Sequence, residues 1–276
     1  MIHLYFNGDS FVAGTELGDD ILPNYPGLYN PITDDPKPFD QWNLINHYGL
    51  KKYNNLVYKQ HYYRLEYERA FPYKVASRCK LPFTNNAATA ASMDRIARTT
   101  ITGLIDIKKQ NPNTRILAFI GTTNYNRSEV VINYEYQNLS STLNLVGSSK
   151  NKESDMLIKL KAANESDYHH LINFYKNIIL VQDFCKSNDI ELFWIATVEN
   201  IISGRCFLNP DDVKDKADYF SLKEYANLIY ALDMSDIAEK ELVGQKYVCP
   251  GRHFGQPVHD LVADKIIEII NNLSGI

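Results

Sequence analysis

Cysteine is scarce in this chain, with four among 276 residues, at Cys79, Cys185, Cys206 and Cys249. They lie far apart and form no C-x-x-C pair, which excludes a zinc ribbon and a disulfide framework and leaves reduced thiols. Long apolar runs are missing too, and no segment reaches the ~18 continuous apolar residues of a membrane-spanning helix. The start, Met1-Ile2-His3-Leu4, has no basic stretch leading into an apolar run, so no signal peptide is expected. The location that follows is cytoplasmic, with the compartment otherwise open. In that setting the N-x-S/T matches at Asn126, Asn138, Asn164 and Asn272 carry little weight. Excess positive charge is also lacking. With a net charge of −4 and no basic stripe, nucleic acid is excluded as a primary partner. There is no P-loop and no dinucleotide fingerprint, so no nucleotide or nicotinamide cofactor is implied. Nothing in the pattern implies an oligomeric state.

What is present is the composition of an ordinary globular protein, 45% hydrophobic and 22% charged, able to bury a substantial core. His3–Phe6 reads as a short buried strand ended by Gly8. Leu17 to Arg69 is a long aromatic stretch bearing Pro23, Pro26, Pro31, Pro36 and Pro38, with weak periodicity. A segment of that length without clear elements reads as an insertion at about 17–69, or a lid. Glu68–Lys80 has helical spacing, with Val75, Ala76 and Cys79 on one side, and Phe83–Ala87 suits a short strand. Ser92 caps a predicted helix to about Lys109, with Ile96, Thr100, Leu104 and Ile107 at helical spacing.

Arg115–Ile120 is the strongest central-strand candidate, and the Asn- and Ser-rich stretch from Asn124 to Lys152 is ambiguous. Ser166–Asn188 reads as a helix with Leu171, Phe174, Ile178, Val181 and Phe184 on one face. Ile190–Ala196 follows as a strand, and Leu222–Leu232 and Pro257–Leu273 as helices. The last carries an apolar stripe of Val258, Leu261, Val262, Ile266 and Ile269. Strands separated by helices predict an α/β fold, a mostly parallel sheet with helices on both faces. No internal repeat or linker divides the chain, so one domain over 1–276 is expected.

Chemistry concentrates at the two ends. Phe6-Asn7-Gly8-Asp9-Ser10 puts a serine where the first strand ends, bracketed by Gly8 and Gly14. An alcohol there needs a base to become a nucleophile, and the strand-to-helix turn supplies backbone N–H donors for an oxyanion. The plain alternative is a turn and helix cap. Near the other end, Gly251-Arg252-His253-Phe254-Gly255-Gln256-Pro257-Val258-His259 places two histidines around the start of the last helix.

On these residues the chain resembles the SGNH (GDSL-type) hydrolase family. That family's first block, a strand followed by G-D-S and a nearby glycine, matches Gly8-Asp9-Ser10 with Gly14. Its last block, D-G-x-H-P and then G-H before an apolar helix, aligns without gaps over Pro250 to Ala263. This puts His253 at the base and His259 at the second histidine. Asn85 to Ser92 resembles the second block, with Ala90 or Ala91 in the place of an oxyanion-hole glycine. Gly121-Thr122-Thr123-Asn124 resembles the third block, with the asparagine one position late.

The resemblance implies a three-layer, flavodoxin-like sandwich and ester hydrolysis through an acyl-enzyme. Ser10 would be the nucleophile, His253 the base, and Ser10, Ala90 or Ala91, and Asn124 the oxyanion donors. The family's aspartate is Pro250 here, so a carbonyl at or near that position, or an acid from elsewhere, would orient His253. Asp9, Pro250 and Arg127 are the candidate supporting groups, and neither a metal nor a cofactor is implied. The substrate class implied is a small-molecule or carbohydrate ester. The competing reading is a non-catalytic SGNH-like binding or structural module in a larger assembly.

Other polar residues have plain readings beside the functional ones. Adjacent His169 and His170 do not face one another on a helix, so both are expected at the surface. His47 and His61 lie in the tyrosine-rich insertion, where packing or surface is the default. The tyrosines from Tyr48 to Tyr73 suit either a sugar-stacking platform or packing over a domain edge. Arg95 and Arg98 read as solvated charges, and Arg127 as a contact for an anionic substrate.

Overall fold

A computed structural model of the chain describes residues 1–15, 17, 62–125, 127–132, 135–140, 167–197, 217–243 and 253–274. The elements are, in chain order, β1 (Ile2–Asn7), α1 (Ser10–Ala13), α2 (Tyr62–Arg69), α3 (Phe71–Cys79), β2 (Phe83–Asn85), α4 (Met93–Gln110), β3 (Arg115–Thr122), β4 (Arg127–Ile132), β5 (Glu135–Ser140), α5 (Asp167–Ser187), β6 (Glu191–Ala196), α6 (Ala217–Ala226), β7 (Tyr230–Asp233), α7 (Met234–Glu241) and α8 (Gln256–Ser274). Two compact units form, one from Met1–Asp9 with Pro82–Asp233, the other from Ser10–Leu81 with Met234–Ile276. Among the described residues no helix is long and apolar enough to cross a membrane.

The first unit holds a sheet in the order β2-β1-β3-β6-β7, and every pairing in it is parallel. This is the expected α/β class. Among its own five strands the second lies beside the first, and the third lies on the first strand's other side, the doubly wound flavodoxin-like order. The switch point therefore falls between β1 and β3, and crevices for ligands form outside the carboxyl ends of strands at such a point.

Both faces of the central strands are buried, which explains why Ile116–Thr122 reads as a continuous run rather than an alternating one. Tyr5, Ile116, Ala118 and Ile120 meet Ile96 and Leu104 of α4 and Leu171, Phe174 and Ile178 of α5. On the opposite face Phe6 stacks on Phe119 with centroids 5.5 Å apart, and Phe119 on Phe193 at 4.9 Å. Ser92 caps α4 as expected, its Oγ accepting from Arg95 N at 3.2 Å.

Several elements depart from expectation. The predicted helix over Leu222–Leu232 is α6 followed by edge strand β7. Asn227 takes φ 40 and its N–H bonds to Lys223 O, which ends the helix. The apolar run after it then pairs with β6 instead of extending the helix. Helix α7 was not read from the sequence. The single helix over Glu68–Lys80 is broken at Ala70, whose extended backbone (ψ 147) starts α3 with a proline in its first turn. The ambiguous Asn124–Lys152 stretch contains the antiparallel ribbon β4–β5. His169 is exposed as expected but His170 is buried, because the inward stripe of α5 takes it in with Leu171 and Phe174.

Arg98 is not simply solvated, since it pairs in bidentate fashion with Glu129 of β4 at 2.8 and 3.1 Å. Cys79 and Cys185 are free thiols, and burial pushes Cys185 up to about 12. Cys206, Cys249, His47, His61 and Pro250 lie outside the described residues. So does the insertion apart from Leu17 and 62–69, and with it the lid reading.

In the second unit α8 packs against α3 and α7. Val258, Val262, Ile266 and Ile270 of α8 are buried, as are Phe71, Val75 and Ala76 of α3, while Leu261 and Ile269 are half-buried. Lys74 and Arg78 of α3 pair with Asp260 and Asp264 of α8, two rungs in helical register.

Gly14 closes the turn after α1 with φ 77, and a Cβ there would lie 2.6 Å from Ala70 Cβ and 2.8 Å from Leu17 Cδ1. Gly14→Ala combines left-handed strain with overpacking, and should lower the unfolding free energy by about 2–4 kcal/mol. Urea unfolding measures this, and an unchanged midpoint would contradict the close approach.

Candidate active site

The last residue of β1, Asn7, is fully buried and bonded on every side. Its Nδ2 lies within reach of Ile96 O at 3.1 Å, Thr99 Oγ1 at 2.8 Å and Thr100 Oγ1 at 2.9 Å. Its Oδ1 accepts from Gly8 N at 2.9 Å. Gly8 then takes φ 154, a backbone region open to glycine, and turns the chain out of the strand. The next side chain, Asp9, is buried, and its Oδ2 accepts from Thr123 Oγ1 at 3.0 Å and from Arg127 Nη1 at 3.3 Å. Arg127 Nη1 also donates to Thr123 Oγ1 at 2.9 Å. The carboxyl ends of β1 and β3 are thereby tied together at the switch point. Arg127, which the sequence leaves either solvated or free to meet an anionic substrate, places Nη1 against the Asp9 carboxylate.

Within the second unit Ser10 Oγ and His253 Nε2 are 2.8 Å apart. Ser10 is only 2% exposed, and the His253 ring is tilted against Phe11 at 4.9 Å. Phe11 also meets Phe254 edge-on at 5.3 Å, so one aromatic ring beside the serine braces two successive residues of the histidine segment. A neutral imidazole that accepts from a serine hydroxyl is placed to take its proton as the oxygen attacks a carbonyl.

His259 has another partner. Its Nδ1 accepts from Phe71 N at 3.3 Å, and its ring lies 5.7 Å from the Phe71 ring. Complete burial, together with the charges of Lys74, His253 and Arg69, pushes its pKa down to about 3.

The structure thus brings Ser10 together with His253, and Asp9 with Arg127. Ala90, Ala91 and Asn124 belong to the first unit, where two of them differ sharply. Ala90 sits at φ 60, a left-handed conformation that favours glycine, whereas Ala91 N–H is committed to Ala88 O at 3.2 Å. Asn7 and Thr123 are residues that sequence reasoning missed. A polar residue closing an apolar strand was the available signal for Asn7. Among the described residues no group of three or more His, Cys, Asp or Glu is arranged to hold a metal ion.

No family profile matches the chain, and no curated protein matches it. Solved structures do. A member of the lipolytic G-D-S-L family from Veillonella parvula is 14% identical, with 98% of each chain covered and a TM-score of 0.42. The psychrotrophic esterase EstA from a Pseudoalteromonas species is 10% identical, with 99% of each covered and a TM-score of 0.42. An acetyl xylan esterase from Butyrivibrio proteoclasticus is 10% identical over 99% of this chain and 64% of that one, with a TM-score of 0.43.

The depressed His259 pKa makes stability pH-dependent. In the unfolded chain the imidazole takes a proton near 6.5, and in the folded one only near about 3. The contribution is therefore complete above 6.5 and is lost as pH falls through the window down to about 3. Between pH 7 and pH 5 unfolding free energy should fall by about 2 kcal/mol on this account. His259→Asn keeps an acceptor for Phe71 N–H without the titration, and should flatten that part of the profile. Chemical denaturation of the two proteins side by side checks it, and identical slopes would rule out the neutral buried imidazole.

Proposed function

We propose that this chain is a serine ester hydrolase working through an acyl-enzyme, with both units acting as one hydrolase-like domain. The observation that carries the reading is the 2.8 Å approach of His253 Nε2 to Ser10 Oγ. As Ser10 Oγ forms its bond to the ester carbonyl carbon, its proton passes to His253 Nε2. That proton then goes to the departing alcohol as the carbon–oxygen bond breaks. Water, deprotonated by the same imidazole, releases the acid and restores Ser10.

Charge on the carbonyl oxygen in this scheme is met by the Ser10 N–H, the Ala90 N–H and the Asn124 side-chain amide. The left-handed backbone of Ala90, and the prior commitment of the Ala91 N–H, favour Ala90 of the two alanines. The polar, tyrosine- and proline-rich segment inserted after the serine supports a carbohydrate or other polar acyl ester as substrate.

A second reading, a non-catalytic module of the same fold, is favoured by the proline at position 250 where the resemblance places an aspartate, and by the alanine where it places an oxyanion-hole glycine. Loss of a triad acid costs roughly 10⁴-fold in rate where nothing substitutes for it.

Fluorophosphonate labelling separates the two, because only an activated serine reacts quickly. Wild-type protein should label and should turn over p-nitrophenyl acetate. Ser10→Ala should abolish both, and His253→Ala should lower turnover by at least about 10³-fold, with circular dichroism unchanged. Retained turnover in a folded Ser10→Ala protein would remove the assignment. Failure of the wild type to label or turn over would favour the module.

A further inference from the structure

Four polar side chains outside the Ser10–His253 pair are joined in one circuit around the start of α8. Arg69, the last residue of α2, donates from Nε to Gln256 Oε1 at 2.6 Å and from Nη1 to Leu17 O at 2.7 Å. Gln256 answers with Nε2, which reaches Arg69 O and Asp260 Oδ1, each at 3.1 Å. Asp260 in turn pairs with Lys74 of α3. The amide of Gln256 has only one orientation that suits this setting, with its oxygen toward the guanidinium and its nitrogen toward the carbonyl and carboxylate oxygens. All of these groups belong to the same unit as Ser10 and His253.

Gln256 is the first residue of α8 and stands three positions after His253. Between them Phe254 rests against Phe11, the neighbour of Ser10. The histidine segment is therefore fixed at two points, an aromatic contact on one side of Gly255 and the Arg69 circuit on the other. A buried aromatic contact resists displacement but tolerates sliding, whereas a reciprocal pair of hydrogen bonds sets direction as well as distance. We propose that Arg69 and Gln256 are positioning residues that hold His253 in line with Ser10, an inference resting on the hydrolase reading above. Neither touches the reacting atoms. Their effect is on the rate of proton transfer, which falls steeply when a catalytic group is displaced by even about 1 Å.

The test compares two substitutions at one position. Gln256→Met removes every polar bond of the circuit's amide at nearly constant volume. Gln256→Glu keeps an acceptor for the guanidinium but turns its second oxygen toward two other acceptors, Arg69 O and Asp260 Oδ1. Steady-state turnover of p-nitrophenyl acetate is measured well below each variant's unfolding midpoint. The His253 ring nitrogens are followed by NMR in ¹⁵N-histidine protein, assigned with His253→Asn. Gln256→Met should lower kcat about tenfold with KM changed less than about twofold, and should move the His253 nitrogen resonances. Gln256→Glu, with the guanidinium bond kept and the two donated bonds lost, should recover only part of kcat and move the resonances less than Gln256→Met does.

A Gln256→Met protein that merely melts earlier, with kcat and resonances unchanged, overturns the proposal. So does a Gln256→Met protein that loses kcat while the His253 resonances stay in place. If Gln256→Met does not fold, Arg69→Lys takes its place, since one ammonium cannot reach both Leu17 O and Gln256 in the guanidinium's geometry. It is read by the same two measurements. If wild-type protein shows no Ser10-dependent turnover, the hydrolase reading fails by itself. The resonances then decide the circuit alone, with movement in Gln256→Met supporting it and no movement overturning it.

Discussion

Asn7 closes β1 with no access to water, so each of its polar atoms must find a partner inside the protein, and each does. A buried amide left unpaired costs about 1–3 kcal/mol, and that penalty holds the end of the strand to one position on α4. Gly8 turns the chain from there, and the Asp9 carboxylate locks the turn to Thr123 and Arg127. Ser10 is the next residue. Polar groups that themselves do no chemistry thus fix the chain as far as the residue before it. A hydrophobic residue at position 7 would leave Gly8 N–H without its side-chain acceptor and the buried Thr100 Oγ1 without this donor.

The two histidines near α8 show how environment separates identical side chains. They stand six positions apart, and burial and partners separate their roles. His259 is enclosed between α3 and α8, near the cations Lys74 and Arg69, so a proton on it is strongly disfavoured and its ring serves as an acceptor for Phe71 N–H. His253 is only half-buried, rests on one face of Phe11, and presents Nε2 to a hydroxyl. One ring is a fixed part of the packing, and the other keeps a nitrogen aimed at a group that can give up a proton.

Periodicity made the major elements legible from the sequence. The inward faces of α4, α5 and α8 are one continuous stripe each, and the doubly buried β3 is an unbroken apolar run, so burial and pattern coincide. Where they part, the reason is local. Leu222–Leu232 carries apolar residues dense enough for either a helix or an edge strand, and the left-handed backbone of Asn227 decides between them. His170 was misplaced because the doublet was weighed as a metal pair rather than against the stripe it belongs to. The glycine-bracketed Ser10 and the histidine segment were legible as motifs. Their supports were not, because Asn7, Thr123, Arg69 and Gln256 are joined across 52 to 187 positions by bonds that leave no local spacing.

The proline at position 250 sharpens the question of how an imidazole is kept in line. A carboxylate partner does two things for a histidine, selecting its tautomer and stabilising its cation. A proline residue offers one carbonyl, which can select a tautomer but brings no charge. Orientation, by contrast, can be supplied mechanically. Phe11 restricts the ring, Phe254 anchors the backbone beside it, and the reciprocal Arg69–Gln256 bonds fix the first turn of α8. Under the hydrolase reading, what a proline at this position leaves unsupplied is a charge rather than placement.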